Sequence, residues 1–199
     1  MSEFRRRLFL YGLDKKPDIT ENILATNVDN SSGSNYFYYN TGIIQATDLI
    51  YTVFCDFTEA ATTYAGDCIC FGSSPSSWNQ NQNIASYMYT SSNKTIGYYL
   101  YNSNGMQSKT VNPLGRNKIA FKVNYNGNAD PKGFTINVFL NGALVTQNYI
   151  SSQAIAANII GKELIVSNRE GSRSKLIYNK ISVITGDVTD DYLIKLTAL

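Results

Sequence analysis

The sequence predicts an all-β sandwich with one short C-terminal helix and an N-terminal arm. Three observations carry this expectation: apolar residues recur with a period of two, turn-forming clusters punctuate the chain about every ten residues, and amphipathic helical stripes are nearly absent. The clearest stretch is 117–145, NKIAFKVNYNGNADPKGFTINVFLNGALV. In Asn117–Tyr125, Ile119, Phe121, Val123 and Tyr125 alternate with Lys118, Ala120, Lys122 and Asn124. In Phe134–Leu140, Phe134, Ile136, Val138 and Leu140 alternate with Thr135, Asn137 and Phe139. Such alternation sets one sheet face against another. Asn141-Gly142 suits the positive φ angles of a type I′ turn, so the chain should reverse there into Ala143–Ile150.

The other expected strands are Tyr36–Asn40, Leu49–Phe57, Asp67–Phe71, Ile84–Thr90, Thr95–Tyr101, Glu163–Ser167 and Lys175–Ile184. Asn-, Ser-, Gly- and Pro-rich clusters at 30–35, 72–83, 102–105, 126–132 and 168–173 separate them. One helix is expected over Asp190–Ala198, capped by Asp187 or Thr189, with acids in its first turn where the helix dipole favours them. Residues 1–18 form a separate arm ahead of a single sandwich domain, 19–199. SEFRRRLFLYGL is either a short amphipathic helix or an extended segment, and Lys15-Lys16-Pro17 breaks it from the body.

Composition narrows the function. The chain has 199 residues, a size at which all-β domains commonly stay single. Charged residues make up only 16% of it, while Tyr alone numbers 15, a surface suited to hydroxyl-rich ligands or protein neighbours. The net charge is +2. Residues 1–16 hold five basic residues against Glu3 and Asp14, so the rest of the chain is at −1. Basic charge confined to a tail does not make a nucleic-acid face, and no nucleic-acid partner is expected. No apolar run approaches the ~20 residues of a membrane span, so no membrane partner is expected either. Leu8–Leu13 is too short for a signal-peptide core, which points to synthesis in a cytoplasm. Cys55, Cys68 and Cys70 sit in expected strands with no His anywhere in the chain, which favours reduced packing cysteines; one disulfide with a leftover thiol is the alternative.

The segments NKIAFKVNYNG and FTINVFLNGALV resemble the central signature of the concanavalin A-like (laminin G/pentraxin-like) jelly rolls. There a strand of the type H-[IV]-A-F-x-x-[ND]-G precedes V-x-[LFV]-Y-[VL]-N-G-x-L-V. Ile159–Gly161, Leu176–Ile184 and VTDDYLI at 188–194 resemble the closing strand and final helix of that family. The likeness covers roughly residues 115–199. Arg116-Asn117 replace the aromatic that often precedes the first strand, and Lys118 replaces the usual His. The resemblance implies a jelly-roll β-sandwich.

Glycosidases on this jelly roll carry E-[IL]-D-x-x-E, whose two Glu act as nucleophile and acid/base. That spacing is missing here, the strand acids Asp56, Glu59 and Glu163 are scattered, and without His the commonest general base is lost. A non-enzyme is therefore expected. The resemblance also brings calcium into view, for which Asp67 and Asp130 are the candidates. Ca²⁺ takes six to eight oxygens, so two scattered carboxylates fit turn chemistry better, and no cofactor is expected. Glycan binding needs an aromatic ring for the sugar's C–H face and amides for its hydroxyls. The candidates are Trp78 with Asn79 and Asn81 in SSPSSWNQNQN, and Tyr99, Tyr101 and Asn102 in YYLYNSN. The competing reading has Trp78 folded back as a lid on the core.

The start of the chain, MSEFRRRL, resembles the N-termini of structural proteins in tailed phages of gut anaerobes. Phe4, Arg5, Arg6, Arg7 and Leu8 would then dock the sandwich onto other virion proteins or copies of itself, and the loops would face outward toward a surface glycan. The leading expectation is a virion structural or adhesion protein, made in the host cytoplasm and carried on the virion surface. The alternative is a stand-alone bacterial carbohydrate-binding module.

Overall fold

The structure, a computed structural model, describes residues 19–31, 38–44, 50–59, 66–73, 83–90, 95–100, 106–110, 115–126, 133–150, 162–167 and 176–199. Twelve strands and one helix lie in these segments: β1 (Thr20–Asn30), β2 (Tyr38–Ile44), β3 (Ile50–Glu59), β4 (Gly66–Gly72), β5 (Asn83–Thr90), β6 (Thr95–Leu100), β7 (Met106–Thr110), β8 (Arg116–Asn126), β9 (Gly133–Leu140), β10 (Ala143–Ile150), β11 (Glu163–Ser167), β12 (Leu176–Thr185) and α1 (Asp190–Thr197). They form two six-stranded sheets, ordered β1-β12-β3-β8-β9-β10 and β2-β11-β4-β5-β6-β7. Every pairing is antiparallel, and the chain passes repeatedly from one sheet to the other, as in a jelly roll. Among the described residues no helix is long and apolar enough to cross a membrane.

Period two explains the core. Tyr51, Val53, Cys55 and Phe57 of β3, Ile119, Phe121, Val123 and Tyr125 of β8, and Ile136, Val138 and Leu140 of β9 are buried between the sheets. Ile69 and Phe71 of β4 and Leu164 and Val166 of β11 meet them from the second sheet. The Phe71 and Phe121 rings join the two layers at 5.3 Å between centroids. Burying such a side chain contributes about 1.5–3 kcal/mol. Cys55 is a buried thiol in no disulfide and packs in this core as a small residue.

The turn at Asn141-Gly142 has φ of +48° and +81°, the doubly left-handed geometry expected of a type I′ turn. Asn141 also ties the strands together. Its side-chain oxygen accepts from the Lys118 amide at 2.9 Å and its Nδ2 donates to Asn117 Oδ1 at 2.9 Å. The helix is capped by Thr189, whose hydroxyl accepts from the Tyr192 amide. It lies over the outer face of the first sheet. There Phe54, Ala120, Phe139 and Ile184 form a second apolar cluster with Val188 and Leu193. That cover explains why Ala120 and Phe139 are apolar although they occupy the outward phase of their strands.

Two strands go beyond the sequence expectation. β1 is an edge strand with a register irregularity between Ile23 and Ala25 and a left-handed Asn27 at φ +55°, both of which break the alternating pattern. β7 is a five-residue edge strand of mostly polar sequence.

Candidate functional site

Register places one of the candidate glycan positions, 99, on the second sheet. Tyr38 pairs with Ser167, Ser167 with Cys70, Cys70 with Ser86, Ser86 with Tyr99, and Tyr99 with Met106. One row thus crosses all six strands, and paired positions lie on one face. The neighbouring row, Tyr39–Val166–Phe71–Ala85–Leu100, contains Val166 and Phe71, both fully buried in the core. The row containing position 99 therefore belongs to the face turned away from the core. Tyr38, at one end of it, is 48% exposed, whereas Ser167 beside it is buried. Tyr38 was not among the candidates from sequence. The aromatic run YFYY at 36–39 gave no way to choose between the two faces.

Trp78, Asn79, Asn81, Tyr101 and Asn102 lie outside the described residues, as do Asp130 and the arm residues Phe4, Arg5, Arg6, Arg7 and Leu8. What the topology does fix is the position of the strand ends that bracket the two candidate loops. Gly72 pairs with Asn83, Ala85 with Leu100, and Tyr99 with Met106. The connections after β4 and after β6 therefore leave from the same end of the same sheet. Asp67 is a strand residue of β4 opposite Met88. Among the described residues no group of three or more His, Cys, Asp or Glu comes together to hold a metal ion.

A second polar constellation occupies the outer face of the first sheet. Asp56 sits mid-strand in β3, opposite Lys118 on one side and Lys180 on the other. The Arg116 guanidinium donates to both of its oxygens, with Nε at 2.8 Å from Oδ1. Asn179, the residue at the β12 register irregularity, donates to Asp56 Oδ1 and Thr58 Oγ1, both at 3.0 Å. Burial pushes the Asp56 carboxyl up. The bonds from Arg116 and Asn179 and the charges of Arg116 and Lys118 more than offset it, so its pKa lies below the ordinary carboxylate value. Nearby, Lys180 pairs with Glu21 at 2.7 Å, and Glu21 also accepts from Ser182. Glu21 is likewise lowered, burial being outweighed by Lys180 and Ser182. Lys122 reaches Asp187 at 2.8 Å and the Val188 carbonyl, anchoring the approach to α1. Lys118 donates to the Ala198 carbonyl beyond its end. These groups satisfy one another on the outer face of the first sheet, and Lys118 and Lys122 tie it to the residues flanking α1, an arrangement that stabilises the fold.

A scan against protein-family models finds no match to this chain, and a search of curated proteins finds none either. Solved structures do match. The chain is similar to the CBM40 carbohydrate-binding domain of the Ruminococcus gnavus IT-sialidase, with a TM-score of 0.54 and 16% identity over 90% of this chain and 99% of that one. The same domain bound to α2,3-sialyllactose gives a TM-score of 0.53 at 16% identity, over 90% of this chain and 98% of that one. The leech intramolecular trans-sialidase gives 0.53 at 18% identity, over 90% of this chain but only 28% of that one. Trypanosoma rangeli sialidase gives 0.53 at 10% identity, over 74% of this chain and 22% of that one. The likeness is one of fold: the chain is a jelly-roll β-sandwich. The match spans nearly all of the CBM40 domain and about a quarter of each of the two larger sialidase chains.

Proposed function

We propose that this chain is a carbohydrate-binding module without catalytic activity, and that it binds glycans on the outer face of its second sheet and at the adjoining strand ends. The observation that carries the reading is the row from Tyr38 to Tyr99. It sets aromatic positions on a non-core face, and its position 99 lies one residue from the end of β6, beside the strand ends from which the Trp78 and Tyr101 segments depart. Aromatic rings that can stack on sugar C–H faces, next to Asn and Ser side chains for the hydroxyls, supply both halves of sugar recognition. The similarity to a carbohydrate-binding domain over nearly its whole length supports the same reading. The scattered strand acids and the lack of any His support the non-catalytic part. A glycan array tests the proposal: the purified chain should retain at least one glycan family, and Trp78→Ala should abolish the signal. Hydrolysis of a bound polysaccharide by rigorously purified protein would overturn it.

The narrower reading, a virion component docked through residues 1–18 to other virion proteins or copies of itself, rests on the sequence of the arm. One structural observation favours a docking role. Edge strand β1 and the residue before it expose two large apolar side chains, Ile23 at 53% and Ile19 at 44%. Deletion of residues 2–13 should leave the melting temperature of the body unchanged and impair incorporation into a parent particle. A truncated chain that assembles as well as the full one would refute the arm's role.

A further inference from the structure

The sequence holds three Asn-Gly pairs, at 104–105, 126–127 and 141–142. An asparagine followed by glycine is open to self-modification, because no side chain on the glycine shields its backbone nitrogen from the neighbouring side-chain amide. In the Asn141-Gly142 turn both reacting groups are engaged, and by different elements. The Asn141 side chain is held by β8: its oxygen accepts from the Lys118 amide and its nitrogen donates to Asn117 Oδ1, each at 2.9 Å. The Gly142 N–H donates instead to the Thr197 hydroxyl of α1, at 3.2 Å. That hydroxyl is buried and donates its own proton to the Leu193 carbonyl at 2.8 Å, which leaves its lone pairs for Gly142. Ala198 closes the space over Gly142, where an added Cβ would lie 3.5 Å from Ala198 Cα.

The two holds differ in kind. The Asn141 amide donates to the Lys118 carbonyl at 3.0 Å, extending the β8–β9 ladder one pair beyond Ile119 and Leu140. Asn141 is thus fixed by three bonds to β8. Gly142 is held by a neutral bond to the last residue of an eight-residue helix. Helix ends fray, and local opening there needs far less free energy than unfolding of the sheet.

We infer that Asn141-Gly142 is a deamidation site held closed by α1, and that release of the helix's last turn sets its rate. Once Gly142 is free, its nitrogen loses its proton to solvent and attacks Asn141 Cγ. The new N–Cγ bond forms, the Cγ–Nδ2 bond breaks, and ammonia leaves. Water then opens the five-membered imide at one of its two carbonyls, giving aspartate or isoaspartate, with nothing oxidised or reduced. Aspartate sets a carboxylate oxygen against Asn117 Oδ1, an acceptor facing an acceptor where a donor stood. Isoaspartate lengthens the backbone by one carbon and shifts Gly142 away from Thr197. Either product weakens the seat of α1 over Phe54 and Phe139.

The test incubates the full native chain, Thr197→Val and Thr197→Ser at mildly alkaline pH, with native chain unfolded in urea as the reference. Peptide mass mapping reads conversion at each Asn-Gly pair. Asn141 should convert more slowly in the folded chain than in the unfolded one by roughly tenfold or more, since only locally opened molecules react. Thr197→Val keeps the side-chain shape but removes the acceptor, and should speed conversion at Asn141 about fivefold, the factor for one hydrogen bond of ordinary net strength. Thr197→Ser keeps the hydroxyl and should stay close to the native rate, and Asn104 and Asn126 should convert alike in all three chains. Equal rates at Asn141 in folded and unfolded chain, or no acceleration in Thr197→Val, overturns the inference. Acceleration shared by Asn104 and Asn126 would mean that Thr197→Val unfolds generally. Amide hydrogen exchange of the native chain then decides: a protected Gly142 amide supports the latch, and an unprotected one overturns it.

Discussion

Arg116 holds Asp56 by both carboxylate oxygens, yet the two side chains differ sharply in environment: Arg116 is 56% exposed and Asp56 only 6%. The asymmetry makes the two deletions unequal. Arg116→Ala leaves a buried carboxylate that keeps the Asn179 donor but loses its two-pronged cation, and should destabilise the fold by about 2–4 kcal/mol. Asp56→Ala leaves a guanidinium that can turn to water, and should cost about 1–2 kcal/mol. Urea unfolding of both variants checks the order. Equal losses would mean that the pair is not a buried one.

Acid dependence follows from the same pair. The carboxyls of Asp56 and Glu21 both lie below their ordinary values in the folded chain. Their contribution is therefore complete above the unfolded values of about 4 and is lost as pH falls through the folded ones. The melting temperature of the native chain should decline steeply below about pH 4. In Arg116→Ala the unsupported Asp56 carboxyl prefers its neutral form, so the stability gap between variant and native chain should close as the pH falls. Thermal melts across the acid range measure that gap, and a gap that widens would contradict the assignment.

Leu193 is the fully buried apolar residue of α1, in one cluster with Phe54, Ala120, Phe139 and Ile184. Leu193→Ala should cost about 2–4 kcal/mol, through lost burial and the void left under α1. If the helix were a loosely attached tail, thermal and urea midpoints would hardly move.

The sequence shows a fold best where local rules and tertiary context agree. The β8–β9–β10 meander was legible because Ile119 to Tyr125 and Phe134 to Leu140 keep strict alternation and Asn141-Gly142 demands its own turn. β1 was not, because its exposed residues, its irregularity near Ile23 and its left-handed Asn27 erase the period. Phe139 lies in the outward phase of β9, and its apolar character is explained only by the cover of α1. The candidate site divides in the same way. Residue type pointed to Tyr99, but only register shows that position 99 shares a row with Tyr38, 61 positions earlier in the sequence. The Asp56–Arg116 pair, 60 residues apart, is invisible to any pattern confined to one strand.

Binding of sugar on the outer face of the second sheet is measured by mapping amide chemical shifts in the isotope-labelled chain during titration with a glycan retained on the array. The largest perturbations should fall at Tyr38, Cys70, Ser86, Gly97, Tyr99 and Ser108, with Asp56, Arg116 and the α1 residues undisturbed. Perturbations gathered instead around Arg116, Lys118 and α1 on the first sheet would contradict it.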